Sequence, residues 1–324
     1  MLCDRPSLYF KERTNNGASI GDLCGPCIIL TTSTSSTSTF RKTQEDIAIT
    51  SSQNTNSDRM FEQKRYSNKL EGSRILIIGG SSGIGFCTAE ACLEYGAIVT
   101  IASSNSSKVE AAVSKLQSTY PSAKTDIHSQ TVDLSKSDTL ESELKTLFEQ
   151  TVKGMGGDKL DHVIFTAGDA LATMKLADLS MEKILQAGQI RFFAPLLAAK
   201  FIPQYVKNSH ESSYIITTGS ISERPMPDWS VIGSFAGGHH AMVRNLALDM
   251  KPIRVNGVSP GVVDTELWKM PQEEKDKLME QMSKKMATGT PGRPEWVAES
   301  FLGIMRDYNM DGAMIRTDGG GLFM

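Results

Sequence analysis

The string Gly79-Gly80-Ser81-Ser82-Gly83-Ile84-Gly85 constrains this chain more than any other feature. It follows the β-rich run Arg-Ile-Leu-Ile-Ile at 74–78 and precedes the helix-forming stretch Cys-Thr-Ala-Glu-Ala-Cys-Leu-Glu-Tyr-Gly. Glycines at this junction let the backbone turn tightly and come close to a ligand, while the helix that follows aims its unpaired N–H groups and its positive dipole end at the turn. A strand, a glycine-rich turn and a helix in that order are the opening of a dinucleotide-binding βαβ unit. The alternative is a purely structural tight turn.

The rest of the chain repeats the alternation. Strands are expected at 74–78, 97–102, 128–133, 161–167, 213–218, 253–259 and 313–318. Several are apolar on both faces, as parallel strands covered by helices on both sides must be. Helix-length segments lie between them, the longest running from Met181 to Val206. Alternating β and α with right-handed crossovers gives an α/β fold with one doubly wound parallel sheet. A single domain over 67–324 is expected. Residues 1–66 differ: TTSTSSTSTF and TSSQNTNSD are too poor in apolar groups to offset the entropy of ordering, so this stretch reads as a low-complexity, disordered arm. Met60 is a candidate alternative start. Cys24-Gly25-Pro26-Cys27 has the spacing of a thiol–disulfide site but is followed by a Ser/Thr tract instead of a βαβ unit, and reads as accidental.

Charge narrows the partners. The net charge is −3 and there is no basic stripe, which argues against nucleic acid. No apolar run reaches the ~18 residues of a membrane span. The N-terminus has acids among its bases and no apolar core, so no export signal is read there. A cytoplasmic location and five free cysteines follow as expectations. The partner expected is a small-molecule substrate.

An acid at the end of the second strand would bind a ribose 2′-hydroxyl and repel a 2′-phosphate. The corner here is Ala102-Ser103-Ser104-Asn105-Ser106-Ser107-Lys108, with hydroxyls, an amide and a lysine. That favours NADP(H), against the alternative of a solvated turn. Asp133 is placed either to meet the adenine ring or to cap the next helix.

GGSSGIG, VDLS (132–135), TAG (166–168), KPIRVNGVSPGVVDT (251–265) and TDGGG (317–321), in this order and spacing, resemble the short-chain dehydrogenase/reductase family over nearly all of residues 70–324. The resemblance implies a Rossmann fold, with Gly79, Ser81, Ser82, Ile84 and Gly168 around the dinucleotide. It also implies nicotinamide near Pro260 to Val263, Thr265 at the carboxamide, and a homodimer or homotetramer joined through two long central helices.

The resemblance fails at the active site. The family uses Ser, Tyr and a Lys four residues after the Tyr, often with an Asn on an earlier helix. Aligned through Ala241 and Met242, the tyrosine position holds Phe235, the lysine position His239 and the asparagine position Arg191. Phenylalanine has no ionisable proton and cannot be a general acid. Thr218, Ser220 and Ser222 all compete for the serine position, with Thr218 and Ser220 favoured. His239 is read as a proton donor, as a ribose ligand or as a packed helical histidine. Arg191 is read as a ligand for a carbonyl or anion, or as the partner of an acid.

RPMPDW (224–229), with Arg191 upstream, is similar to a Pro–Trp loop in a fungal subgroup that includes the reductase/Diels–Alderases of malbrancheamide and paraherquamide indole alkaloids. Met226 stands where that subgroup has Asp, which puts the identical reaction in doubt, and Trp229 is kept. Trp229 reads either as a stacking surface for a flat substrate or as loop packing. Trp268, Met270, Leu278, Met279, Met282 and Met286 form an apolar lid segment or a docked helix. Hydride addition to an iminium needs no proton, so the expected activity is an atypical NADPH-dependent reductase of an iminium or similarly activated bulky substrate. The alternatives are a cofactor-retaining cyclase or isomerase and a non-catalytic NADP-binding protein.

Overall fold

The computed structural model describes residues 66–324. The Ser/Thr-rich segment, Cys24, Cys27 and Met60 lie outside the described residues. Seven strands follow one another as β1 (Arg74–Ile78), β2 (Ile98–Ser103), β3 (Ile127–Thr131), β4 (His162–Phe165), β5 (Ser213–Thr217), β6 (Arg254–Pro260) and β7 (Met314–Thr317). They form one all-parallel sheet in the order β3-β2-β1-β4-β5-β6-β7, so the expected doubly wound α/β fold is the one formed. Each expected strand is present within one or two residues.

Nine helices surround it among the described residues: α1 (Gly83–Glu94), α2 (Ser106–Thr119), α3 (Leu140–Gly154), α4 (Met181–Gly188), α5 (Ala194–Ala198), α6 (Ile202–Tyr205), α7 (Ser230–Asp249), α8 (Gln272–Ser283) and α9 (Pro294–Arg306). Successive strand residues feed opposite faces of the sheet. Leu76 and Ile78 pack with Leu144, Phe148 and Val243 on one face; Ile75 and Ile77 pack with Phe86, Leu116 and Phe301 on the other. Helix α3 shows the sequence logic: Leu140, Leu144, Leu147, Phe148 and Thr151 make one buried stripe, and Glu141 and Glu143 sit at its positive end.

The long helix expected over 181–206 is divided. Helix α4 ends at Gly188, a π-helical turn covers Gln189–Phe193, and α5 and α6 follow as short pieces. Pro195 and Pro203 each withhold an amide donor from a continuous ladder. The wider turn carries Arg191, Phe192 and Phe193 toward the sheet's C-terminal edge, and such turns recur at functional sites.

Strand order reverses between β1 and β4, and the loops after β1, β2, β4, β5 and β6 open there into one crevice. Far from it, Arg254 ties β6 to α9. Its guanidinium, 2% exposed, donates to six carbonyls, those of His210, Glu211, Ile304, Met305, Asp307 and Met310, at 2.6–3.2 Å. Replacing it by Met removes this donor from all six carbonyls, of which Met310 keeps the bond from Asn256 Nδ2 at 2.8 Å. Arg254→Met should therefore lose at least about 3 kcal/mol in denaturant unfolding, whereas exposed Lys284→Met should change stability by less than about 0.5 kcal/mol.

Candidate active site

The crevice is a cavity of about 1090 Å³ reaching from Ser103 and Lys108 at the end of β2 to Trp229 and Met286. One end is built by the β1–α1 turn. Gly79 has φ +99°, and a Cβ there would come within 2.7 Å of Ala167 Cα; a Cβ on Gly85 would overlap the Gly79 carbonyl and lie 2.5 Å from Thr166 Oγ1. Only hydrogen at these positions lets β1, α1 and β4 meet so closely. The Ser82 side chain does not cap α1, and the first-turn N–H groups of Gly83, Ile84 and Gly85 have no intrahelical acceptor. Gly79, Ser81, Ser82 and Ile84 line the cavity with them. These donors around a dipole end fit a pyrophosphate.

At the neighbouring corner Ser103, Ser104, Asn105 and Lys108 also line the cavity. Asn105 caps α2, its Oδ1 accepting from the Lys108 amide at 2.9 Å, and the first turn of α2 holds no acid. Two hydroxyls, a helix N-terminus and an ammonium converge there, which suits a phosphate monoester better than a bare ribose diol. Val132 and Leu134 line the cavity, and Asp133 lies between them. Its carboxylate turns back to accept from Ser135 N at 2.9 Å and Ser135 Oγ at 2.6 Å, which lowers its pKa. Gly168, Val263 and Thr265 are on the lining.

The other end is aromatic and carries no tyrosine. Phe235 on α7 lies against Phe192 and Phe193, with ring centroids 5.1 and 5.9 Å apart. A Cβ on Gly188 would come 2.7 Å from Phe235 Cζ, so the ring has a seat made for it. Tyr214 is fully buried and donates to the Pro195 carbonyl at 2.8 Å. Tyr205 stacks on Phe148 and bonds Glu149. Neither lines the cavity.

His239 is 3% exposed, and both its nitrogens are committed. Nε2 lies 2.8 Å from the Arg191 carbonyl, which can only accept, so Nε2 carries the proton. Nδ1 then accepts from Thr218 Oγ1 at 3.0 Å. Burial pushes the His239 pKa down to about 4, so the ring is neutral at physiological pH. With both nitrogens engaged, this geometry favours the reading of His239 as a packed helical histidine over a proton donor or ribose ligand. The Thr218 proton lies between two protein acceptors, His239 Nδ1 and the Ala236 carbonyl at 3.2 Å, so Thr218 offers the cavity lone pairs only. Ser220 lines the cavity and its hydroxyl has no partner among the described residues. Ser222 instead reaches His240 Nε2 at 3.0 Å, off the cavity.

Arg191 lines the cavity and is paired with an acid the sequence reading did not single out. Its Nε donates to Asp169 Oδ1 at 2.9 Å, its Nη2 to the Asp169 carbonyl, and its guanidinium packs on Gly168. Burial lowers the arginine's pKa and Asp169 opposes that shift. Nη1 has no acceptor among the described residues, so donors remain beside the paired charge. The one signal for Asp169 was its place directly after TAG.

The remaining wall comes from the segment 268–286 and the C-terminus. Trp229, Trp268, Leu278, Met282 and Met286 line the cavity, whereas Met279 is buried behind it. Arg224 donates to the Gly321 carbonyl and joins the 224–229 loop to the C-terminal residues. Cys87 and Cys92 are buried free thiols, both pushed up to about 12 by burial, and take no part. Among the described residues no helix is long and apolar enough to cross a membrane.

Comparison with known proteins agrees with this architecture. A family model described as the SDR-like Rossmann domain matches residues 66–324. A short-chain dehydrogenase/reductase of Gibberella fujikuroi, fsr5, is 42% identical over 261 residues, covering 80% of this chain and 97% of its own. One from Stachybotrys chlorohalonatus, ATR9, is 40% identical over 251 residues, covering 78% and 97%. The solved structure of the MalC reductase/Diels–Alderase from Malbranchea aurantiaca is 38% identical with a TM-score of 0.74, over 80% of this chain and 99% of that one. With its glycine-rich β1–α1 turn set at the switch of a seven-stranded parallel sheet, the chain belongs to the short-chain dehydrogenase/reductase family.

Proposed function

We propose that this protein is an NADPH-dependent reductase of specialised metabolism that acts on an iminium or similarly activated carbon in a bulky cyclic substrate. The observation that carries this reading is the cavity lining: Phe235 stands in its aromatic end, no tyrosine is present, and His239 is neutral with both nitrogens engaged.

Gly79, Ser81, Ser82 and the first turn of α1 would hold the pyrophosphate, with Gly168 beside them. Ser103, Ser104, Lys108 and the amide group of Asn105 would hold the 2′-phosphate, and Val263 and Thr265 the carboxamide. Bound there, NADPH supplies a hydride. A ketone receiving that hydride becomes an alkoxide and needs a proton. An iminium carbon receiving it becomes a neutral amine, with the C=N π pair moving to nitrogen and no proton transferred. Ser220 is the hydroxyl free to meet the substrate, Thr218 presents lone pairs to an N–H, and the spare N–H groups of Arg191 meet an acceptor. Phe235, backed by Phe192, and Trp229 would exclude water around the reacting carbon.

A second reading, a cofactor-retaining cyclase, is supported by the 38% identity to a reductase/Diels–Alderase. The same proposal takes the protein as a cytoplasmic homodimer or homotetramer. Exposed Met181 and Leu185 on α4 and Leu248 on α7 support a buried partner surface there.

NADPH absorbance tests the main reading with N-methyl-3,4-dihydroisoquinolinium, which carries its charge permanently. Consumption is expected at a rate flat between about pH 5.5 and 8, because His239 takes up a proton only near 4 and no tyrosine participates. Faster reduction of acetophenone than of the iminium would overturn the reading, and cyclised product without NADPH loss would favour the cyclase. Phe235→Tyr alone should leave ketone reduction within about twofold, while the pair Phe235→Tyr and His239→Lys should raise it by about 100-fold, the low end of what a general acid contributes.

Cofactor choice is checked separately. Lys108→Glu puts an acid in the first turn of α2, where it does not harm the helix. It should weaken NADPH binding by at least about tenfold in a fluorescence titration and leave NADH within about twofold. Equal effects on both cofactors would show that Lys108 does not face a 2′-phosphate.

A further inference from the structure

The β1–α1 turn meets the segment that follows β6. A Cβ on Gly83 would lie 3.3 Å from Thr265 Cγ2 and 3.6 Å from Glu266 Oε2. Gly83, Thr265 and Glu266 all line the main cavity. The Glu266 carboxylate therefore stands beside the first turn of α1, at the phosphate end of the crevice.

Nothing nearby balances that charge. Among the described residues no ion pair and no hydrogen bond reaches the Glu266 carboxylate. The turn itself offers no cation, because residues 79–85 are glycine, serine and isoleucine alone. Backbone N–H groups, two hydroxyls and the helix dipole are what it presents to an anion. A pyrophosphate and the Glu266 carboxylate compete for the same positive end.

The corner that carries the glutamate is held on both sides. Asp264 N donates to the Gly292 carbonyl and Gly292 N to the Val262 carbonyl, both at 2.9 Å. The Asp264 carboxylate pairs with Lys275 on α8 at 2.5 Å, and Trp268 Nε1 donates to the Val263 carbonyl at 2.9 Å. The backbone cannot carry the carboxylate away without breaking these contacts. The exposed side chain can still swing outward, which limits the effect of its charge to a few-fold change in binding.

We propose that Glu266 opposes the cofactor pyrophosphate and caps the affinity for NADP(H), so that spent cofactor leaves quickly. This role presupposes that the glycine-rich turn holds the pyrophosphate. It gives the cavity a charge that works against the ligand at one end, while Ser103, Ser104 and Lys108 work for it at the other.

Binding to the full-length protein, without turnover, tests it. Glu266→Gln should tighten NADPH by about fivefold in about 10 mM salt, the scale set by unit charges a few ångströms apart in water. NADP⁺ dissociation should slow by about threefold in stopped flow. In about 1 M salt, where the screening length falls to ~3 Å, the gain in affinity should shrink below about 1.5-fold. 2′-Phospho-ADP-ribose keeps the pyrophosphate and lacks the nicotinamide, and should gain as NADPH does. Adenosine 2′-monophosphate has no pyrophosphate and should stay within about 1.5-fold. Glu274→Gln makes the same charge change at an exposed α8 position off the cavity lining, and should leave every ligand unaffected. An unchanged NADPH affinity or dissociation rate, an equal gain for adenosine 2′-monophosphate, or a gain that survives high salt would overturn the role of Glu266. If 2′-phospho-ADP-ribose binds the unaltered protein no better than adenosine 2′-monophosphate, the pyrophosphate reading of the turn fails with it. If it binds better and Glu266→Gln is silent, that reading stands and the opposition alone fails.

Discussion

The close approach of β1, α1 and β4 at Gly79 and Gly85 fixes everything downstream of it. A methyl group at either position would push the strands and the helix apart, because the nearest atoms are backbone and cannot move aside. With hydrogen there, the helix end is held against the sheet at the point where strand order reverses. The free N–H groups of α1 therefore face the same crevice as the loops that follow β4, β5 and β6. A few ångströms of separation at this junction would leave the phosphate end and the reacting end of the cavity out of register.

The second organising element is a chain of buried polar contacts at the reacting end. Asp169 holds the Arg191 side chain, the Arg191 carbonyl holds His239, and His239 holds the Thr218 hydroxyl. Each link uses a different group of the residue it passes through. The π-helical turn makes this possible, since it directs the arginine's carbonyl toward α7 and its guanidinium toward Gly168. A buried network of this kind is costly if a member is left unpaired. Its completeness explains why a histidine in this place is structural in effect: it orients Thr218 and closes a carbonyl, and it has no proton to trade near neutral pH.

The strand pattern and the phosphate-binding turn were legible in the sequence because both rest on local rules, apolar runs of strand length and glycines at a strand–helix junction. Phe235 could be placed on α7 through Ala241 and Met242, and the cavity lining there holds no tyrosine. What could not be read was pairing over long distances. Asp169 and Arg191 are 22 residues apart, and the acceptor of His239 is a backbone carbonyl 48 residues away. Residue type gives no hint of such a partner. Asp133 shows a limit at short range: its Oδ1 bonds Ser135 two residues on, a local turn that sequence reading did not foresee. The division of the 181–206 helix was signalled by Pro195 and Pro203, whose missing donors outweigh the apolar periodicity around them.

The electrostatics of the cavity bear on the reaction class independently of Phe235. Arg224, Glu266, Lys269 and Lys285 line the cavity farther along, while near Phe235 the Arg191 charge is matched by Asp169, so that pair presents donors with little net field. A neutral imidazole and a threonine whose proton is internally held add none. Such a cavity offers an alkoxide hydrogen-bond donors, Ser220 and Arg191, but no group placed to hand it a proton as a tyrosine would. It gives no hindrance to a reaction whose charge is lost as it proceeds, as when hydride meets a cationic carbon–nitrogen bond. Aromatic faces and lone pairs attract such a cation, so the cavity can hold the charged substrate until hydride removes the charge. The lack of a tyrosine in the lining and its aromatic character both fit the proposed reaction of a substrate that brings its own activation.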